Sequence, residues 1–190
     1  MRFILAAAAA AFLFAMPARA HAAPVDVATF TCSALVAGDE AGGRTASGWA
    51  AILYWIAGYH ASDTGGTVVD FDKLIDSFGK ITEHCKANPG LSVLNVAAEL
   101  MTESEPAAGR DLSLISCERV LNTPKQHAEG LGQILMWLAG YHAGLASDSV
   151  LDLVAFEQSA REIGDYCAAN PHIGLYTASE RFMGPAPDDE

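Results

Sequence analysis

A six-residue motif that occurs twice constrains the fold of this chain more than any other feature. The segment Trp55–His60, with the sequence WIAGYH, returns 82 residues later as WLAGYH in Trp137–His142. The same offset relates Cys85–Pro89 to Cys167–Pro171. Because a repeat at a fixed offset indicates a duplicated structural unit, the chain is predicted to contain two copies of one small module.

The repeat also sets the expected domain boundaries. We predict a first module over residues 23–102, a linker over 103–112, a second module over 113–184 and an acidic tail over 185–190. Apolar residues recur at helical spacing in both copies, so each module is expected to be a four-helix unit of an all-α protein. A module of roughly 70 to 75 residues has a small core and often needs a covalent cross-link.

Residues 1–22 have the pattern of a secretory signal peptide. Arg2 precedes an apolar run from Phe3 to Met16, and an A-x-A site follows at Ala18–Ala20. The run is shorter than the roughly 20 residues that a membrane-spanning helix needs. We therefore predict a protein that is exported, is cleaved after Ala20 or Ala22 and is not held in a membrane.

The net charge limits the possible partners. Of the 11 basic residues, Arg2 and Arg19 belong to the predicted signal peptide, so nine basic residues remain against 23 acidic ones, a net charge of −14 near neutral pH. Binding to nucleic acid requires basic surface that replaces counterions, and an anionic membrane makes the same demand. Neither is expected as a partner.

The four cysteines all follow the predicted signal peptide, one near the start and one near the end of each copy. An even number of cysteines in an exported chain predicts disulfides rather than a zinc site, for which there is no C-x-x-C motif. Three pairings are possible, and the duplication favours Cys32–Cys85 with Cys117–Cys167. Each bond would close a loop of about 50 residues and stabilise its module by roughly 3–4 kcal/mol.

Local sequence signals place the helices within each copy. Asp70 and Ser116 are predicted N-caps, residues 38–44 are a predicted loop, and Ile75 is expected to face inward on the third helix of the first copy. No stretch alternates between apolar and polar residues in a way that would require a sheet. The other predicted helices span about 46–61, 92–101, 125–143, 152–169 and 173–182.

The central helix of each copy is too apolar for a single buried face. A helix of a small domain usually has one apolar stripe and one polar face, but the stretch Trp49–Tyr59 has almost no polar side chain. We therefore expect a second apolar face to pack against the other copy, where Gly58 and Gly140 permit close approach of the backbones. The residues predicted for this interface are Ile52, Tyr54, Trp55, Tyr59, Met136, Trp137, Leu138 and Tyr141.

Together these motifs resemble the HdeA/HdeB family of acid-stress chaperones. An apolar residue and a hydroxyl residue precede the cysteine in Phe30–Cys32 and Ile115–Cys117, each central helix carries W-x-x-G-Y, and C-x-x-N-P follows each third helix. Leu175 and Tyr176 after Asn170–Pro171 are similar to HdeB in particular. The resemblance implies two tandem periplasmic modules that pack as an intramolecular pseudo-dimer near neutral pH and bind unfolded periplasmic proteins through the predicted interface in acid. Association into a homo-oligomer is left open.

The composition agrees with a response to acid. Carboxyl groups titrate near pH ~4 and histidines near ~6.5, so acidification changes the net charge from −14 to a positive value. Repulsion and the loss of ion pairs would then loosen the contact between the copies. A second class of function also remains open. The chain has features of a disulfide-stabilised helical binding protein of the immunity or inhibitor type, with one dedicated protein partner.

No catalytic, cofactor or metal site is predicted. The chain has no Ser/His/Asp order and no glycine loop suited to phosphate, so we do not expect an enzyme. His60 and His142 follow the tyrosines of the two motifs and are interpreted as residues at helix ends, where the helix dipole favours a cation.

Overall fold

The computed structural model describes residues 23–41, 43–101, 109–124 and 127–184. The predicted signal peptide, the acidic tail and most of the predicted linker lie outside the described residues. The described part of the chain forms eight α-helices and four two-residue β-strands. None of these described helices is long and apolar enough to cross a membrane.

The first copy contains four helices that follow a short strand and a 3-10 turn. Its elements are β1 (Val25–Asp26), the turn (Val27–Thr29), α1 (Cys32–Ala41), α2 (Gly43–Ser62), β2 (Val68–Val69), α3 (Phe71–Ala87) and α4 (Val93–Met101). The second copy repeats this order. Its elements are β3 (Arg110–Asp111), the turn (Leu112–Leu114), α5 (Cys117–Leu121), α6 (Ala128–Leu145), β4 (Val150–Leu151), α7 (Leu153–Ala169) and α8 (Leu175–Met183). The predicted fold of two tandem helical modules is confirmed.

Local hydrogen bonds explain where two of the helices begin. The backbone N–H of Lys73 donates to the Asp70 carboxylate at 3.1 Å, and the backbone N–H of Arg119 donates to the Ser116 hydroxyl at 3.3 Å. Each bond satisfies an N–H group that the first helical turn leaves without an intrahelical partner. Both predicted N-caps are therefore confirmed.

The predicted loop over 38–44 is wrong. Helix α1 continues to Ala41 and α2 begins at Gly43, so helical structure occupies most of this interval. Gly38 serves packing rather than a turn, because a Cβ at this position would collide with the Trp49 indole.

Two smaller predictions also need correction. Ile75 does not face inward but is 52% exposed, because its position on α3 turns it toward solvent. The equivalent residue of the second copy is Glu157, which is also exposed. The central helix of the second copy begins at Ala128 rather than near residue 125, and residues 125 and 126 lie outside the described part of the chain.

The four short strands join the two copies to each other. Strand β1 pairs antiparallel with β4, which aligns Val25 with Leu151, and β2 pairs antiparallel with β3, which aligns Val68 with Asp111. Each pair combines the opening strand of one copy with the strand that precedes the third helix of the other. The end of the predicted linker 103–112 belongs to this arrangement, since it contains β3 and the buried Leu112. The exchange is reciprocal, as at the interface of a two-fold symmetric dimer.

Each copy is closed by one disulfide. Cys32 in α1 is bonded to Cys85 in α3, and Cys117 in α5 is bonded to Cys167 in α7. The bonds span 53 and 50 residues of sequence, and all four cysteines are fully buried. The pairing favoured by the duplication is therefore the one in the structure, and each bond fixes a cysteine helix to the long third helix of its own module.

The two hydrophobic cores contain residues from both copies. The core of the first copy includes Met136 and Leu151 from the second. The core of the second copy includes Ala57 and Val69 from the first. Because each core is completed by the other copy, the two modules pack as a pseudo-dimer within one chain.

Candidate functional site

Helices α2 and α6, which carry the repeated motif, pack against each other at the centre of this pseudo-dimer. Gly58 lies against the backbone carbonyl of Trp137, and Gly140 lies against the backbone carbonyl of Trp55. A Cβ at either glycine would collide with the opposite backbone, so only glycine permits this approach. The W-x-x-G spacing thus produces a reciprocal contact, in which each motif supplies one glycine and one tryptophan.

The two tryptophans are buried beside this contact. Each stacks on the tyrosine four residues later, with ring centroids 5.2 Å apart for Trp55 and Tyr59 and 5.3 Å apart for Trp137 and Tyr141. Each tryptophan is only 2% exposed. Large aromatic side chains dominate the energetics of such contacts, so separation of the copies would expose strongly apolar surface.

The other residues predicted for the interface have different surroundings. Met136 packs into the core of the first copy. The Tyr54 ring packs on Phe78 of its own module with centroids 4.9 Å apart, and burial and the nearby Glu129 of the second copy raise the pKa of its hydroxyl. Their part in binding other proteins stays a prediction. The remaining predicted residues are the buried Ile52, Leu138 and Tyr141 and the half-buried Tyr59.

Carboxylate–hydroxyl hydrogen bonds connect the copies at both strand pairs. The Ser149 hydroxyl donates to Asp26 Oδ1 at 2.7 Å. The equivalent Thr67 hydroxyl donates to Asp111 Oδ1 at 2.9 Å. Each bond therefore places an ionisable group of one copy in contact with the other copy.

The surroundings of Asp111 favour its charged form. Hydrogen bonds from the Ser113 hydroxyl and then from the Thr67 hydroxyl lower the pKa of the Asp111 carboxyl group below its ordinary value. The stabilisation is present while the group is charged and is lost as the pH falls through this lowered pKa. The junction is thus expected to weaken in acid.

None of the salt bridges between described residues joins the two copies. The salt bridges among the described residues are Asp70–Lys73, Glu83–Lys86 and Glu157–Arg161, and each is local to one helix or its cap. The expected loss of ion pairs between the copies therefore has no counterpart in the described contacts. The hydrogen bonds of Asp26 and Asp111 are the side-chain polar contacts described between the copies.

Two equivalent cavities lie where the copies meet. One has a volume of about 450 Å³ and is lined by His60 and by Trp137 of the other copy. The second has a volume of about 430 Å³ and is lined by His142 and by Trp55. Each cavity therefore combines the histidine of one motif with the tryptophan of the other.

The two motif histidines occupy different environments. His142 is 1% exposed, its Nε2 shares a hydrogen bond of 2.9 Å with the Ser179 hydroxyl, and its Nδ1 has no partner among the described residues. Burial lowers the pKa of His142 from 6.5 to about 4, so the ring is neutral at pH 7. His60 is half-buried and its Nε2 lies 3.0 Å from the Leu94 carbonyl oxygen. His60 and His142 lie in the last turns of α2 and α6, as predicted, but burial outweighs the helix dipole at His142 and keeps its ring uncharged near pH 7.

Sequence reasoning missed the strand pairs and their aspartates. Strands of two residues are too short for alternation of apolar and polar residues to reveal them. A signal did exist in the repeat, since Asp26 and Asp111 are 85 residues apart and the hydroxyl residues Thr67 and Ser149 are 82 residues apart.

The chain belongs to the HdeA/HdeB family. The family model matches the chain twice, at residues 3–95 and 90–177, in agreement with two tandem copies. This family is known for periplasmic acid-stress chaperones. Comparison with curated proteins gave no significant match, and comparison with solved structures gave none either.

Proposed function

We propose that this protein is an acid-activated holdase chaperone of the periplasm, exported by its predicted signal peptide. The observation that carries the proposal is the apolar contact between α2 and α6, which buries Trp55 and Trp137 where the two copies meet. Membership of a family known for acid-stress chaperones supports the same function. The partners would be unfolding periplasmic proteins.

Opening of the pseudo-dimer would follow from titration of groups at and around the contact. The buried His142 stays neutral in the closed state until the pH approaches 4, whereas an exposed ring gains a proton below about 6.5, so acidification over this range favours the open state. Protonation of Asp111 then weakens the strand junction that its carboxylate forms with Thr67. The accumulating positive charge on both copies adds repulsion.

Client binding would use the surface that opening uncovers. Burial of this surface against an unfolding protein contributes about 25 cal/mol per Å², before the cost of ordering both chains. Each module is kept closed by its own disulfide, which limits how far it unfolds. Because the copies are joined in one chain, opening replaces dissociation, and reclosure at neutral pH is intramolecular.

A light-scattering assay tests this function. Two unrelated proteins that aggregate in acid are incubated with and without this protein near pH 2.5, and two that aggregate on heating are treated in the same way at pH 7. The expected result is suppression of aggregation of both clients in acid and little suppression at pH 7. Absence of suppression in acid would contradict the proposal. Suppression that is limited to one of these four proteins would indicate a dedicated binding protein instead.

A further inference from the structure

The first copy uses one of its own side chains to fill a space that is left open in the second copy. Trp49 in α2 stacks on Phe30, with ring centroids 4.9 Å apart. The Trp49 indole lies directly over Gly38, where no Cβ could be accommodated. The equivalent positions of Trp49 and Phe30 in the second copy hold Leu131 and Ile115, which are smaller and are not aromatic.

A cavity of about 650 Å³ lies at this place in the second copy. Leu131 and Ile115 both line it, and Val120, Ile134 and Phe71 of the first copy supply further apolar wall. This volume is in the range of small-molecule sites, roughly 300–1,000 Å³. Because an indole fills the equivalent space in the first copy, a flat aromatic group fits the position by its shape.

The rim of this cavity is positively charged. Arg110 in β3 and Arg119 in α5 line it, and no acidic side chain is among the described residues that do so. The equivalent positions of the two arginines in the first copy hold Val25 and Ala34. Neither arginine forms a salt bridge with another described residue. In a chain with 23 acidic residues, this rim is suited to an anion.

We propose that the cavity binds a small aromatic carboxylate. The ring would occupy the space between Leu131 and Ile115, and the carboxylate would accept charge-assisted hydrogen bonds from Arg110 and Arg119. The site is separate from the glycine–tryptophan contact of α2 and α6. It therefore goes beyond the proposed chaperone function and does not depend on it.

Isothermal titration calorimetry of the folded protein at pH 7 tests this site with indole-3-propionate as the probe. Indole-3-propanol, which lacks the charge, is expected to bind at least tenfold more weakly, and decanoate, which lacks the ring, is expected to do the same. Replacing both Arg110 and Arg119 by Gln should weaken binding of indole-3-propionate at least tenfold. Arg161→Gln is the matched control, because Arg161 pairs with Glu157 on the surface of α7, and it should leave binding unchanged.

Two reciprocal substitutions test the shape argument. Leu131→Trp should abolish binding by supplying the side chain that the first copy has at this position. Trp49→Leu should create a second site in the first copy, without arginines, that takes the alcohol as well as the acid. If circular dichroism shows that Trp49→Leu is unfolded, Leu131→Trp decides alone. The proposal is overturned if neither indole probe binds, if alcohol or decanoate binds the wild type as tightly as the acid, or if Leu131→Trp binds like the wild type.

Discussion

The two copies of the module are most alike where they meet and less alike elsewhere. Both supply a tryptophan and a glycine to the central contact, and both supply an aspartate to a strand junction. Away from the contact, Trp49 is matched by Leu131, and Ser179, the partner of His142, is matched by Ala97. A reciprocal interface needs the same residues from both sides, whereas the rest of each module can differ. One chain therefore combines a symmetric contact with two chemically different halves.

Removing one disulfide at a time tests whether the two halves are stabilised alike. It is also the change with the largest expected effect on stability. Replacing the pair Cys32 and Cys85 by Ser, or the pair Cys117 and Cys167, should each lower the free energy of unfolding by about 3–4 kcal/mol. The two effects should be similar because the closed loops span 53 and 50 residues. Urea denaturation at pH 7 measures both losses, and a difference between them above about 2 kcal/mol would show that the two disulfides do not stabilise their modules alike.

Replacement of the motif histidines tests the difference between the halves. Between pH 6.5 and about 4 the unfolded chain binds a proton that the buried His142 does not, so the wild type should lose on the order of 3 kcal/mol of stability over this range. His142→Gln keeps a hydrogen-bonding group for Ser179 but cannot titrate, so it should reduce this loss. Urea denaturation at pH 7 and pH 4.5 gives the comparison. His60→Gln is the matched control, and an equal reduction in both variants would show that the two sites do not differ.

Added methyl groups test the symmetry of the central contact. Gly140→Ala should lower the free energy of unfolding by about 2 kcal/mol or more, because its Cβ meets the Trp55 backbone. Gly58→Ala should have a similar effect through Trp137. Gly132→Ala, in the same helix as Gly140, is the control, since its Cβ meets nothing within 4 Å. It should be stabilising by roughly 0.5–1 kcal/mol through helix propensity, and a loss equal to that of Gly140→Ala would contradict the assignment.

The strand junctions should show the smallest effect. Asp111→Asn keeps an acceptor for the Thr67 hydroxyl but removes the charge, so this junction should no longer weaken as the pH falls through the lowered pKa of Asp111. The midpoint of acid unfolding is followed by tryptophan fluorescence. After correction for any difference in stability at pH 7, it should lie a few tenths of a pH unit lower than in the wild type. Exposed Asp165 provides the control Asp165→Asn, which should not change the midpoint.

The features that could be predicted from the sequence are those encoded locally or by the repeat. Helical periodicity and side-chain caps such as Asp70 act over a few residues, so the four helices of each copy and two N-caps were predicted correctly, while some helix ends were not. The duplication was enough to favour one disulfide pairing among three. The excess of apolar residues on the central helices correctly indicated a second buried face, although it could not show that Tyr54 also packs on Phe78 of its own module.

Features that depend on contacts distant in sequence could not be predicted in this way. Gly38 was taken for a turn residue because its role depends on the Trp49 indole packed over it. The burial of His142 depends on α8, whose position no local pattern indicates. The strand exchange requires both copies to be placed together, and two-residue strands leave no periodic signal. The cavity beside Leu131 likewise becomes visible only when the two copies are compared in three dimensions.

A covalent lock across the copies tests the central claim most directly. Asp26 and Val150 are aligned on β1 and β4, so replacing both by Cys should permit a disulfide that joins the two copies. The control replaces both by Ser, and peptide mapping verifies that the native disulfides are kept. Dye binding and suppression of client aggregation are then measured near pH 2.5. The account predicts that the locked protein gains little dye binding and loses most of its suppression, while the Ser control retains both. Full suppression by the locked protein would show that clients bind elsewhere than at the surface between the copies.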